Sequence, residues 1–187
     1  DSMGRHFPAE WAPQGALMVI WHHADTDWGR RLEPVEDAYG ALCAAVTRHE
    51  PLVVICRDRR VRERALAKIA ETGSPRAAVA TFVVDTDDTW ARDLAPLTVV
   101  DDGLPLLLDG GFNGWGNKFP HERDAAFGAN LVDSAGFATL GYERLPLVVE
   151  GGALETDGAG TLLVNRPTLV DPARNPDLDE AGIESIL

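Results

Sequence analysis

The chain has 187 residues, of which 45% are hydrophobic and 25% are charged, so it can bury a sizeable core and lacks the composition of a disordered segment. Its 30 acidic residues outnumber its 17 lysines and arginines, and the formal net charge is -13. This charge argues against nucleic acid and anionic membrane surfaces as partners and favours cationic ligands, although an acidic surface can also serve solubility alone.

Two cysteines, Cys43 and Cys56, lie in apolar patterns, which predicts small buried hydrophobes rather than nucleophiles. The sequence has no secretory signal pattern and no long apolar span, so we expect a cytoplasmic protein. His22 and His23 form no metal-ligand spacing with a cysteine or an acid, and no phosphate-loop, dinucleotide or serine-elbow motif is present. We therefore predict neither a metal nor a cofactor.

The first half of the chain alternates strands with helices. The predicted elements are a strand from Ala16 to Trp21, an amphipathic helix that begins at Pro34, a strand from Leu52 to Cys56, a helix between Asp58 and Gly73, and a strand from Val79 to Val84. The apolar face of the first helix is predicted at Val35, Ala38, Tyr39, Leu42, Ala45 and Val46. The last strand is a β-branched run, typical of a strand buried on both faces. This order favours an α/β sheet.

The second half begins with a predicted hairpin. The predicted elements are strands from Leu97 to Val100 and from Leu106 to Leu108 around the turn Asp101–Gly103, a helix from Glu122 to Ala135, strands at Leu147–Leu154 and Thr161–Val164, and a weak helix from Leu178 to Leu187. The order of strand, hairpin and helix recurs loosely, which suggests modular repetition. Since no linker divides the chain, we expect a single domain.

Acidic side chains cluster after the strand that ends at Val84, where α/β proteins gather ligand-binding groups. The acids Asp85, Asp87 and Asp88 are also compatible with a solvated turn. Asp93 differs because it lies between Arg92 and an apolar segment. A partly buried carboxylate needs a partner, which is either a cationic ligand or an arginine of the chain.

Glu150 stands directly after the apolar run Leu147–Val149 and before Gly151 and Gly152. Two glycines allow a ligand or another backbone to come close to this carboxylate. The alternative interpretation is that Glu150 caps nearby amides. Asp93 and Glu150 are the two candidate catalytic acids.

Trp90 and Trp115 lie in polar loops, and Trp115 belongs to a segment with four glycines in nine residues, Gly110–Lys118. Core packing is the commoner role of tryptophan, but in such loops each ring can also stack on a planar cation. The pattern leaves both interpretations open.

Four ordered motifs resemble the agmatine deiminase and bacterial-type peptidylarginine deiminase family. They are Trp90-Ala-Arg-Asp93 followed by Pro96, Gly111 to Lys118, Glu150-Gly-Gly-Ala153, and Asn165 through Arg174-Asn-Pro176, and the opening Pro8 to Gln14 is similar as well. The resemblance implies an α/β fold that is part of a five-module, pentein-like propeller. With room for about three modules, residues 1–187 would form the N-terminal part of a single propeller domain.

By position, the resemblance implies that Asp93 binds the substrate guanidinium and that Glu150 pairs with the substrate or the catalytic histidine. It implies further substrate-binding residues at Trp90, Arg92, Asn113, Trp115, Gly151 and Gly152. A guanidinium is planar and permanently charged, and carboxylates bind it through paired charge-assisted hydrogen bonds.

The family reaction uses a cysteine thiolate that attacks the guanidinium carbon, a histidine that moves protons, and water that releases a ureido product after ammonia leaves. The family's His-x-Asp and late Gly-rich Cys segments are absent from this sequence, and neither Cys43 nor Cys56 lies in a matching motif. The resemblance implies an enzyme of putrescine biosynthesis that converts agmatine to N-carbamoylputrescine. Because the nucleophile and the proton shuttle are absent, the chain alone is expected to be inactive and to need a C-terminal half or a homo-oligomer.

Two other functions are compatible with the residues. The first is a non-catalytic partial propeller that binds a cation or a partner chain, since missing modules would leave strand edges unpaired. The second is a glycosidase that uses Asp93 and Glu150 as paired acids and Trp90 and Trp115 as sugar platforms.

Overall fold

The computed structural model describes residues 4–134 and 136–187. The chain divides into two compact units, one formed by Pro13–Ala91 and the other by the residues up to Ala12 together with Arg92–Leu187. The single-domain interpretation stays a prediction. The predicted end of a helix at Ala135 lies outside the described residues.

The unit of residues 13–91 contains a parallel three-stranded sheet in the order β1-β2-β3. Its elements are β1 (Leu17–Ile20), α1 (Leu32–Val46), β2 (Leu52–Cys56), α2 (Arg59–Glu71) and β3 (Val79–Val83). Alternate residues of β2, namely Leu52, Val54 and Cys56, point into one apolar core with residues of both helices. The predicted strand-helix order is confirmed. Asp58 accepts a hydrogen bond from the Val61 amide at 2.8 Å and caps α2 as predicted.

One burial prediction for this unit was wrong and another was right only in part. Strand β3, an edge strand among the described strands, is not buried on both faces, since Ala80 is exposed and Val83 is 42% exposed. On α1 the predicted residues Tyr39 and Val46 do pack against the core, but the fully buried positions are Glu36, Gly40 and Cys43, and Leu42 is 41% exposed. Glu36 is tolerated in this core because it accepts hydrogen bonds from the indole of Trp21 at 3.0 Å and from Arg64.

The unit that contains Arg92–Leu187 is built on a second three-stranded sheet, in the order β4-β5-β6. After α3 (Ala91–Leu94) come β4 (Leu97–Asp101), β5 (Leu104–Gly111), α4 (Glu122–Ala125), α5 (Phe127–Asp133), β6 (Gly141–Val148), β7 (Leu154–Thr156), β8 (Leu162–Val164), α6 (Arg166–Leu169) and α7 (Glu180–Ile186). The β4-β5 hairpin is confirmed. It turns at Asp102 (φ 47°) and Gly103 (φ 83°), the positive angles that a two-residue hairpin turn requires.

Three elements in this unit differ from the predictions. The predicted strand Leu147–Leu154 is not one strand, because β6 runs from Gly141 to Val148 and β7 begins at Leu154. The first half of β6 was missed because it is half-exposed and polar, pairs in parallel with β5 and carries no apolar run. The predicted helix from Glu122 is broken at Ala126 into two short helices. The short helix α6 was not predicted. Within the described residues, the structure has no helix that is both long enough and apolar enough to span a membrane.

Candidate functional site

The carboxylate of Asp93 is half-buried and held on both oxygens. Its Oδ2 accepts the indole Nε1–H of Trp115 at 3.0 Å, and its Oδ1 accepts the Gly152 amide at 3.0 Å. Asp93 is therefore not the ion-pair partner of Arg92, which binds Glu10 instead. The structure thus brings the predicted residues Asp93, Trp115 and Gly152 together.

The two glycines after Glu150 allow a close approach by the chain itself. A Cβ atom on Gly151 would lie 2.2 Å from the carbonyl oxygen of Arg92, and one on Gly152 would lie 2.4 Å from Oδ1 of Asp93. Both distances are far below a normal contact. At Gly151 the obstacle is backbone, so only glycine fits there, whereas a Cβ atom at Gly152 would displace the Asp93 carboxylate. Of the two predicted roles for these glycines, the structure shows the approach of another chain segment.

Glu150 is only 4% exposed and is paired with an arginine of its own unit. Its Oε1 accepts a hydrogen bond from Nε of Arg174 at 2.8 Å, while Nη1 of Arg174 reaches Oδ2 of Asp171 at 2.6 Å. Oε2 of Glu150 is buried and has no hydrogen-bond partner among the described residues. The alternative interpretation was that Glu150 caps nearby amides, but the structure shows an ion pair with Arg174. The sequence analysis placed Arg174 in a motif and did not predict it as a site residue.

A left-handed turn at Gly114–Asn117 carries the Trp115 side chain. Trp115 has φ 58° and ψ 46°, and Gly116 and Asn117 also have positive φ values. Left-handed backbone costs an L-residue about 1 to 2 kcal/mol, so the surrounding contacts must hold it. Asn113 supplies two of them, because its Oδ1 accepts the Gly116 amide at 2.9 Å and its Nδ2 donates to the Ala173 carbonyl at 2.8 Å.

The Trp115 ring is fixed by two aromatic neighbours. It meets Phe112 edge to face at 5.0 Å between ring centroids, and Phe119 at 5.7 Å. A Cβ atom on Gly116 would lie 3.1 Å from Nη1 of Arg174, so the turn also lies against the arginine that binds Glu150. Contacts therefore run from Asp93 through the turn to Arg174 and Glu150.

Asn175 positions the strand end that precedes Glu150. Its side chain is buried. The Oδ1 atom accepts a hydrogen bond from the Val148 backbone amide at 2.9 Å, and Nδ2 donates to the carbonyl oxygens of Val148 and Leu169, each at 2.9 Å. This side chain thus takes the place of a further strand at the end of β6. Sequence reasoning missed Asn175, because its partners lie 6 and 27 residues away.

Trp90 belongs to the unit of residues 13–91, whereas Asp93 and Glu150 belong to the other unit. It is 50% exposed and lies 6.3 Å from Trp28 between ring centroids, at the side of a cleft of about 460 Å³ that His22 and Tyr39 also line. Trp90 is thus not a core residue. A role in substrate binding stays a prediction.

The two thiols of the chain are unsuited to nucleophilic attack. Cys43 and Cys56 are fully buried, as predicted. Burial raises the pKa of Cys43 to about 11 and that of Cys56 to about 12, so almost no thiolate is present near neutral pH. Among the described residues no group of three His, Cys, Asp or Glu side chains could hold a metal ion.

The fold is α/β, and its candidate site has two carboxylates, the half-buried Asp93 and the buried Glu150. Contacts through the glycine-rich turn that carries Trp115 connect them. The family model described as Porphyromonas-type peptidyl-arginine deiminase matches residues 6–187. The chain is 33% identical to the agmatine deiminase of Pseudomonas aeruginosa (strain LESB58) over 98% of its own length and 50% of that protein.

Two solved structures agree. An agmatine deiminase of C. jejuni with substrate bound superposes with a TM-score of 0.85 at 27% identity, over 97% of this chain and 51% of that one. The agmatine deiminase of Enterococcus faecalis gives a TM-score of 0.82 at 26% identity, over 97% and 49% of the two chains. The chain belongs to the Porphyromonas-type peptidyl-arginine deiminase family, and it spans about half the length of the relatives it matches.

Proposed function

We propose that the full-length protein is a deiminase, a C–N hydrolase that converts agmatine to N-carbamoylputrescine and ammonia, and that this chain supplies the acids that bind the guanidinium. The observation that carries the proposal is the pair of carboxylates, Asp93 and Glu150. Trp115 donates a hydrogen bond to Asp93, Arg174 donates one to Glu150, and the turn that carries Trp115 lies against Arg174. The similarity to agmatine deiminases supports agmatine over peptidyl arginine as the substrate.

The Glu150 carboxylate already binds a guanidinium, that of Arg174. This contact leaves Oε2 buried without a hydrogen-bond partner among the described residues, and a buried acceptor gains free energy when it receives a donor. A second guanidinium, that of the substrate, has N–H groups to offer this oxygen. In the proposal Arg174 orients Glu150, and Oε2 receives the substrate or the catalytic histidine.

Asp93 is proposed to bind the substrate guanidinium. The indole of Trp115 and the amide of Gly152 each donate one hydrogen bond to it, which fixes the carboxylate in place while each oxygen keeps acceptor capacity. A fixed acceptor loses little entropy when the ligand arrives. Trp115, Arg92 and Asn113 are proposed to contribute to substrate binding in the complete enzyme. Trp90 is proposed, separately, as a further substrate-binding residue.

For the fold, we propose part of a five-module propeller, with about three modules in this chain. The repeated association of small sheets with helices supports the proposal. The nucleophilic cysteine and the catalytic histidine would come from a C-terminal half, because both thiols described above are buried. A cytoplasmic location stays a prediction.

The test is ureido-product formation from agmatine by the full-length protein. Asp93→Asn and Glu150→Gln should each lower kcat/KM by about 100-fold or more, since each removes a negative charge that binds the reacting group. The matched controls are Asp102→Asn in the exposed hairpin turn and Glu155→Gln on β7, whose side chain is also exposed. Unchanged turnover in both site variants rejects the assigned roles. Ammonia release by the 187-residue chain alone would overturn the expectation that it is inactive.

A further inference from the structure

A polar cleft of about 210 Å³ lies in the unit of residues 13–91, at the carboxyl ends of β1 and β2. His23 follows β1, and Arg57 and Asp58 follow β2, while Arg60 and Arg64 reach the cleft from α2. The carboxyl ends of parallel strands are a common place for ligands. None of these residues belongs to the proposed deiminase site.

His23 presents a buried N–H donor that lacks an acceptor. Nη1 of Arg57 lies 3.1 Å from Nδ1 of His23, and because a guanidinium can only donate, Nδ1 must accept. The ring proton of the neutral imidazole is therefore on Nε2. His23 is only 3% exposed, and Nε2 has no hydrogen-bond partner among the described residues. Burial, followed by the charge of Arg57, lowers the pKa of His23, which agrees with a neutral ring.

The charges around the cleft favour an anion. Three arginines line it against two acids, in a chain whose net charge is -13, and a third acid, Asp85, lies outside the lining at 3.6 Å from Arg57. Both lining acids are engaged, because Asp25 binds Arg57 at 2.8 Å and Asp58 caps α2. Arg64 binds Glu36, whereas Arg60 makes no hydrogen bond or ion pair with any described residue. Arg60 is thus the cation available to a ligand.

The geometry points to a binding site for a small phosphate or phosphoryl oxyanion, held by Nε2–H of His23 and the guanidinium of Arg60 at the first turn of α2. The N-terminus of this 13-residue helix adds a favourable dipole. Donors that arrive from two different elements suit an anion with several acceptor oxygens. A cation is disfavoured by the surplus of arginine.

The experiment is a titration of the isotope-labelled chain with inorganic phosphate at constant ionic strength, with chloride as the balancing anion. We expect saturable binding and a shift of the His23 Nε2–H resonance. Arg60→Ala should weaken binding by about tenfold or more, as expected for loss of one charge-assisted hydrogen bond. The matched control is Arg59→Ala, which removes the same charge from the neighbouring residue, outside the cleft lining. Its binding constant should change by less than about twofold.

Three results would overturn the proposal. They are no saturable binding, saturable binding that leaves the His23 resonance unmoved, and equal weakening by Arg59→Ala and Arg60→Ala, which would indicate only general attraction to a basic surface. A parallel titration with glycerol phosphate distinguishes free phosphate from a phosphate monoester as the natural ligand, and both results support the shared chemistry. The readout is binding rather than turnover, so it is independent of the deiminase proposal.

Discussion

The indole Nε1–H of Trp115 donates to Oδ2 of Asp93 at 3.0 Å, and this hydrogen bond joins two motifs that lie 22 residues apart in the sequence. It explains why a tryptophan occupies a left-handed backbone position. The ring must reach Asp93 from a turn that also lies against Arg174. The backbone strain is thus tied to the placement of the candidate site acid.

Trp115→Phe keeps an aromatic ring beside Phe112 but removes the donor to Asp93. A hydrogen bond to a charged group contributes about 1.5 to 3 kcal/mol, so we expect kcat/KM of the full-length enzyme for agmatine to fall by roughly tenfold or more. The matched control is Trp11→Phe, at a tryptophan that is 78% exposed. Equal kinetics in the two variants would show that the indole N–H does not position Asp93.

Alanine substitutions at the adjacent glycines should have different consequences. Gly151→Ala would press a methyl group against a backbone carbonyl, which cannot rotate away, so we expect a loss of about 1 to 3 kcal/mol in the free energy of unfolding. The close contact of Gly152→Ala is with the end of the Asp93 side chain, which can turn aside. That variant should stay folded and lose about 100-fold in kcat/KM.

Urea unfolding and agmatine turnover measure the two effects. Gly15→Ala is the control for both, because a Cβ atom there meets nothing within 4 Å. The interpretation fails if Gly152→Ala retains full activity, or if Gly151→Ala is as stable as the control.

The Glu150–Arg174 pair should be strongly coupled in stability. Arg174→Met leaves Glu150 buried without its cation, so we expect a loss of about 3 to 5 kcal/mol. Adding Glu150→Gln should restore much of that loss, since the second substitution removes the unpaired charge. The control is Arg166→Met, which breaks the exposed pair with Glu180 and should cost far less, because solvent screens an exposed ion pair. Additive losses in the double variant would contradict a coupled pair.

His22 should make the unit of residues 13–91 sensitive to moderate acid. Burial, and then the neighbouring His23, lower the pKa of His22 from 6.5 to about 4. Because the unfolded chain binds this proton more readily, the stability that the neutral ring contributes is complete above about pH 6.5 and is lost as the pH falls towards about 4. The loss is at most about 3 kcal/mol.

The direct measurement is an NMR titration of the His22 ring, with an expected midpoint near pH 4. In urea unfolding, His22→Gln should flatten the dependence of stability on pH between 4 and 6.5 relative to the unaltered chain. A midpoint near 6.5, or an unaltered slope in the variant, would contradict this account.

The residue types and positions were enough to predict the alternation of strands and helices in residues 13–91 and the β4-β5 hairpin. They also indicated Asp93 and Glu150 as candidate acids, whose roles stay predictions. A charged residue that follows an apolar run is visible in a sequence, because burial without a partner is costly. The partner itself is not visible. Arg174 lies 24 residues after Glu150, and only the folded chain brings them to 2.8 Å.

Burial was harder to predict than topology. The apolar run of β3 has the same appearance in an edge strand as in a central one, because the run does not record how many neighbours a strand has. The first half of β6 was missed for the converse reason, since a strand that is exposed on one side needs no apolar run. Likewise, glycines indicated a close approach at Gly110–Lys118, but the left-handed angles of Trp115 run against the preference of an L-residue.

The turn at Gly114–Asn117 winds in the sense that L-amino acids resist. Gly116 has φ 82°. In a chemically synthesised chain, L-alanine and D-alanine at this position should therefore have opposite effects on the free energy of unfolding. L-alanine would oppose the backbone angle and approach Arg174, whereas D-alanine prefers that angle and would restrict the unfolded chain more than glycine does. This short segment would thus accept mirror-image building blocks that an ordinary right-handed helix excludes.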